Sequence, residues 1–199
     1  MTTVPSDQGV AAPAGSGPLS TPWGTLDWGQ VRELALPGAL IGLLGGIVAG
    51  GLVAITGQSL PVVLVACVSL ALPLALGGAA YDLLLATGRA PLGMLAPAAL
   101  LWAVAFPPSR MLQAAVVDVV AGEEVAVPQG WAAFAVYQVL VAVPFAIGFW
   151  WLHENFAPRW WFHIRERNPV ADHFVRGQLE YAAQAEAEKE RRRQRKKRR

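Results

Sequence analysis

Residues 34–81 read LALPGALIGLLGGIVAGGLVAITGQSLPVVLVACVSLALPLALGGAAY, which is 48 positions without a charged side chain. About 20 apolar residues in an α-helix cross the roughly 30 Å hydrocarbon core of a bilayer, so this block is long enough for two spans. The polar segment 57–59 before Pro61 marks the turn between them, because glycine and proline interrupt helices. The sequence therefore predicts one span at residues 36–56 and a second at 60–81.

Two further apolar segments lie towards the C-terminus. Residues 125–152 form another uncharged block of 28 residues, which predicts a span at 129–152. Residues 90–109 are also uncharged and predict a third span, which Pro107 and the proline after it are expected to end. The segment 111–121 is too short to cross by itself. It is predicted to be an interfacial or re-entrant helix, or a broken continuation of the third span.

Composition agrees with this organisation. Hydrophobic residues make up 54% of the 199 positions, charged residues make up 15%, and the mean hydropathy is +0.40. A soluble domain does not need so much apolar material. The predicted fold class is an all-α integral membrane protein, a bundle of about four transmembrane helices. A short interfacial or re-entrant helix separates spans 3 and 4, and a basic cytoplasmic helix follows the bundle.

Three regions follow from the pattern. Residues 1–33 are rich in small and polar side chains and predict a disordered segment, with Trp23 and Trp28 at the membrane interface. Residues 34–168 comprise the four spans and a juxtamembrane segment of aromatic and basic residues. Residues 169–199 form a charged tail.

The distribution of basic residues predicts the orientation. Thirteen of the sixteen Lys and Arg follow the fourth span, whereas the connection between spans 3 and 4 holds one arginine against three acidic residues. Basic residues flanking spans favour the cytoplasmic side. We therefore expect a multi-pass protein of the cell membrane with both termini in the cytoplasm, because the number of spans is even.

A glycine-zipper pattern is present in the first span. Gly38, Gly42, Gly46 and Gly50 recur at every fourth position and so share one helix face. A face without side chains lets two helix backbones approach closely in lipid. The pattern predicts either packing against the other spans of the same bundle or a self-association surface, and packing within the bundle is favoured.

Ionisable side chains inside spans are candidates for function. Asp82 and Arg110 are predicted at span ends, where their heads can reach the interface. If the third span continues past its prolines, Arg110 and Asp118 become a candidate intramembrane polar pair. The histidines, of which His153 is the first, match no familiar metal-ligand spacing and are interpreted as interfacial. No catalytic, cofactor-binding or metal-ligating residue is predicted.

The last eleven residues carry nine basic side chains and one glutamate, which accounts for more than the net charge of +2 of the whole chain. Such a run near a membrane surface favours contact with anionic lipid headgroups. Contact with nucleic acid is not favoured, because no aromatic side chains for base stacking are interleaved. The alternative is a topology anchor. The predicted lipid-contact residues are Arg191, Arg192, Arg193, Arg195, Lys196, Lys197, Arg198 and Arg199.

Function is weakly specified by this sequence. The favoured hypothesis is a non-enzymatic accessory, assembly or scaffold subunit of a membrane complex, or a homo-oligomer, in contact with the lipid bilayer. A transporter or channel component is the first alternative. An enzyme acting at the membrane interface is the second, and it rests on the aromatic, basic and histidine residues of segment 150–167.

Overall fold

The computed structural model describes residues 18–127 and 129–197. A short hairpin precedes five helices, and a 3-10 turn, Leu52–Thr56, extends the first helix. The elements are β1 (Leu19–Thr21), β2 (Gly24–Leu26), α1 (Trp28–Gly51), α2 (Leu60–Ala86), α3 (Leu95–Ala121), α4 (Gly130–Ile164) and α5 (Pro169–Lys197).

Helices α1 to α4 are each long and apolar enough to cross a membrane. The prediction of an all-helical, multi-pass membrane protein with four spans is therefore confirmed at this level. Helices α1 and α2 pack along their lengths, and α4 contacts both α1 and α3. Large apolar side chains such as Leu76, Leu100 and Val104 remain more than 70% exposed on the outside of the bundle, as lipid-facing residues do.

The part of the predicted disordered segment that the structure describes is ordered, which corrects the prediction for residues 18–33. Strands β1 and β2 pair antiparallel, and Leu26 is fully buried. Asp27 then caps α1: its carboxylate accepts from the Gln30 backbone N–H, and the Gln30 side chain accepts from the Asp27 N–H. The hairpin packs against α5, and this tertiary contact, which composition does not indicate, orders the segment. Residues 1–17 lie outside the described residues.

The prediction that the third span ends at Pro107 is wrong. Helix α3 continues through Pro107 and Pro108 to Ala121. Residues 111–121 are therefore its last turns, as in the alternative of a continued third span, and not a separate interfacial or re-entrant helix. Proline removes one backbone donor, yet it is tolerated in membrane spans. Pro107 is buried in the bundle, and the Ser109 hydroxyl donates to the Ala105 carbonyl at 2.7 Å.

Helix α4 also continues beyond its predicted end, to Ile164, so the juxtamembrane segment is helical. The Trp160 indole N–H donates to the Glu33 carbonyl at 2.7 Å, and Arg167 forms an ion pair with the Glu33 carboxylate at 2.9 Å. The hydrogen bond to the Glu33 carboxylate raises the pKa of Arg167 above its ordinary value. Asn168 caps α5 and donates to the Gln30 carbonyl, which joins the start of α5 to the start of α1.

Candidate functional site: a buried pair of Asp82 and His153

Asp82 is the one acidic residue in the described helices that is fully buried. It lies one turn before the end of α2, where the Cβ-free Gly38 of α1 allows close approach. The Gly38 backbone N–H donates to Asp82 Oδ2 at 2.7 Å. A side chain at position 38 would collide with this carboxylate and with the Gly78 carbonyl. Glycine at position 38 is therefore required for the contact.

The second carboxylate oxygen of Asp82 contacts α4. His153 Nε2 lies 2.6 Å from Asp82 Oδ1, and both side chains are at most 1% exposed. A separation this short requires a proton between the two atoms. Asp82 thus joins three helices: α2, which carries it, α1 through Gly38, and α4 through His153.

Aromatic rings surround the imidazole and exclude water from the pair. The ring of Tyr81 stands edge-on to His153 at 5.0 Å, Phe149 stacks on it at 5.8 Å, and Trp161 lies at 5.6 Å. In such a low-dielectric environment hydrogen bonds are electrostatically stronger than in water, and an unpaired polar group is costly.

Three polar atoms around the pair have no hydrogen-bond partner in the described part of the chain. They are the second imidazole nitrogen of His153, Nδ1, the Tyr81 hydroxyl and the Trp161 indole nitrogen. Buried polar groups are normally satisfied, so each exception calls for an explanation. Nδ1 can accept a proton when the ring is neutral and donate one when it is charged.

Sequence reasoning missed this pair because it placed both residues at the ends of shorter spans. Asp82 was expected to reach the interface and His153 to lie in it; instead each lies within a longer helix and is buried. The available signal was the position of Asp82 directly after an uncharged block, since ionisable residues within spans merit attention. Nothing local pointed to His153 as its partner, 71 positions away.

The four spaced glycines of α1 all face α2. A Cβ at Gly38, Gly42 or Gly46 would overlap the backbone of α2, and one at Gly50 would lie 2.6 Å from the Ala66 carbonyl oxygen. The contact partners run antiparallel along α2 from Gly78 to Ala66. The glycine face is thus occupied inside the bundle.

Arg110 and Asp118 both lie in α3, but the structure does not join them. The Arg110 guanidinium donates to the Gln113 side chain, whose amide in turn donates to the Ala66 carbonyl of α2 at 2.8 Å. Asp118 instead accepts from the backbone N–H of Ala126, just past the end of α3. The polar contact that α3 makes with α2 therefore passes through Gln113.

Helix α5 divides into a packed start and an exposed end. Val170 and Phe174 are buried against the bundle, whereas the side chains of Arg191 and Arg193 are exposed. Arg192, Arg195, Lys196 and Lys197 lie on the same helix. Arg198 and Arg199 lie outside the described residues.

The remaining histidines are separate from the pair. His173 stacks on Trp23 at 4.4 Å, and His163 is exposed near Trp160. Within residues 18–127 and 129–197 no group of three His, Cys, Asp or Glu side chains is placed to hold a metal ion.

No protein-family model, curated protein or solved structure matches the chain. Its function is therefore inferred from its own residues and their geometry.

Proposed function

We propose that the chain is a non-enzymatic accessory or scaffold subunit of a membrane complex, inserted in the cell membrane with both termini in the cytoplasm. The observation that supports this is the use of Asp82: both of its carboxylate oxygens are engaged by other helices. A polar group with this role fixes the relative position of three spans. Polar contacts of this kind in spans often serve packing.

Partner contacts of such a subunit have to use surfaces other than the glycine face, which α2 occupies. The outward faces of α2, α3 and α4 remain, represented by Leu76, Val104 and Gly148. Each is exposed, and a side chain added at Gly148 would meet nothing within 4 Å.

A photoreactive amino acid at these three positions tests the proposal in native membranes. At least one position should give a discrete adduct with a second polypeptide, and the other positions serve as controls for random collision. Adducts with lipid alone at all three positions would contradict a subunit role.

A transporter or channel component is the second candidate, and the unpartnered His153 Nδ1 and Tyr81 hydroxyl favour it. Buried ionisable residues in spans mark proton relays in many carriers. Vesicles that contain the purified chain and a trapped pH dye distinguish the two candidates. Proton entry that is lost in Asp82→Asn would support transport, and identical traces for the wild type, Asp82→Asn and empty vesicles would exclude this role.

The basic end of α5 supports a further element of the proposal, contact with anionic lipid. Its exposed arginines lie on a helix whose first turns are held against the bundle, and the proposal places this helix along the cytoplasmic membrane surface. Each basic residue near an anionic surface contributes about 1 kcal/mol.

A further inference from the structure

A cavity of about 740 Å³ lies beside the end of α2. It is open to the outside and is lined by the connection between α2 and α3, by Trp23 of the hairpin, by Glu154 of α4 and by the first half of α5. This volume falls in the range of about 300–1,000 Å³ that is typical of small-ligand sites. The cavity uses neither the Asp82–His153 pair nor the basic end of α5.

Glu154 provides the formal charge of the cavity lining. The residue is half-buried, and its carboxylate has no hydrogen-bond or ion-pair partner in the described part of the chain. Arg89, in the neighbouring connection, is exposed and does not line the cavity. A carboxylate in the lining gives the cavity a negative potential, so the cavity is electrostatically suited to a cation.

Three aromatic residues line the same space: Trp23, Phe174 and Tyr181. His173 lines it too and stacks on one face of the Trp23 ring at 4.4 Å. The Trp23 and Phe174 rings meet edge to face at 5.5 Å. Aromatic faces attract cations, and cages of such rings beside a carboxylate are suited to alkylammonium groups. Apolar side chains, among them Leu85 and Leu92, complete the wall and favour a ligand that carries hydrocarbon next to its charge.

We propose that this cavity binds the ammonium group of an amphiphile, with Glu154 as its counter-ion and the aromatic rings against the cation. The cavity lies where α2 ends and α3 begins, at the end of the bundle, which is the level expected for lipid headgroups. An amine-bearing lipid and a soluble amine share this chemistry, so the test distinguishes the two sources.

The experiment titrates the full chain in a neutral maltoside detergent with phosphatidylethanolamine and counts bound lipid by native mass spectrometry. Diacylglycerol with the same acyl chains tests the need for the headgroup, and phosphatidylglycerol tests anionic lipid. Glu154→Gln removes the charge and keeps the shape. Glu166→Gln is the matched control, because Glu166 is exposed and does not line the cavity.

Glu154→Gln should weaken phosphatidylethanolamine binding about tenfold, which corresponds to about 1.4 kcal/mol. It should leave phosphatidylglycerol binding unchanged, and Glu166→Gln should bind like the wild type. Tyr181→Ala, at a position that is 76% exposed and so dispensable for folding, should weaken binding about threefold through the lost ring. Melting curves of the unliganded variants verify that they are folded.

Binding of ethanolamine with the same dependence on Glu154, without binding of the lipid, would assign the site to a soluble amine. Equal binding of phosphatidylethanolamine and diacylglycerol would overturn the proposal. Equal affinities of Glu154→Gln and Glu166→Gln for phosphatidylethanolamine would overturn it as well.

Discussion

Asp82 has two separate contacts, to Gly38 and to His153, and substitutions can keep both or remove both. Asparagine at position 82 still offers an oxygen to the Gly38 N–H and an amide to His153, whereas leucine offers neither. Breaking a buried charged pair from one side leaves the other partner uncompensated, while replacing both partners with apolar residues removes that penalty. Comparing the single and the double replacements therefore separates the coupling between Asp82 and His153 from the contacts that each residue makes with other groups.

We expect Asp82→Leu to lower the free energy of unfolding by about 3–5 kcal/mol, with a much smaller loss for Asp82→Asn. The double variant Asp82→Leu with His153→Leu should recover most of that loss. The remaining cost reflects the Gly38 N–H, which loses its acceptor and costs about 1–3 kcal/mol. Denaturant unfolding in detergent micelles measures these proteins together with the single variant His153→Leu, which completes the double-mutant cycle. Additive losses in the double variant would mean that the two side chains are not coupled.

At the level of elements, the α1–α2 contact depends on the absence of side chains along one face of α1. Close backbone approach gives dispersion contacts along the helices, which matter in lipid because there is little hydrophobic drive for association. Helix α3 likewise continues through Pro107, which is buried in the bundle.

Gly46→Leu should disrupt this contact, because a Cβ at position 46 would overlap Ala71. We expect a loss of about 1–3 kcal/mol or more, as for overpacked cores. Gly148→Leu introduces the same side chain in a helix where the added Cβ meets nothing, and should change stability by less than about 0.5 kcal/mol. Thermal unfolding in detergent compares the two variants. Losses of equal size would show that the effect comes from the glycine's backbone and not from packing.

For the molecule as a whole, the position of the charges relative to the membrane determines what the exposed parts can contact. Four spans place the connection between α3 and α4 on one side, and the basic end of α5 on the other. The cavity beside Glu154 lies on the same side of the membrane as α5, because the first half of α5 forms part of the cavity wall.

The orientation is testable with single cysteines in a Cys67→Ala background. Glu123→Cys should react with a membrane-impermeant maleimide in intact cells, whereas Ser6→Cys and Gln194→Cys should react only after permeabilisation. Reaction of Glu123→Cys only after permeabilisation would reverse the proposed orientation or remove one crossing.

Lipid contact by the tail is testable with the full chain reconstituted in nanodiscs. With anionic lipid present, the end of α5 should be protected from trypsin, and protection should fall as salt rises, since the Debye length is about 8 Å at physiological ionic strength. Neutral nanodiscs provide the control. Deletion of residues 189–199 should leave the spans inserted, because Arg159 in the last turns of α4 and Arg165, Arg167 and Arg176 after it remain. Equal protection in neutral and anionic nanodiscs would contradict the lipid contact.

The membrane class, the number of candidate spans and the small-residue face of α1 could be predicted from local composition. Each depends on the length, apolarity or spacing of one segment, and the bilayer imposes the same requirement on every helix that crosses it. The length of α3 was not predictable in this way. Whether a helix continues through Pro107 depends on the groups around it, and these come from other parts of the chain.

The pairing of Asp82 with His153 depends on which helices become neighbours. Position 82 reads as a span end and position 153 as an interfacial histidine, because sequence patterns carry no information on contacts across 71 residues. The same holds for the glycine face, whose spacing indicates a close contact but not that α2 fills it. Tertiary packing determines both, because a buried carboxylate or a bare backbone face is stable only against a complementary surface.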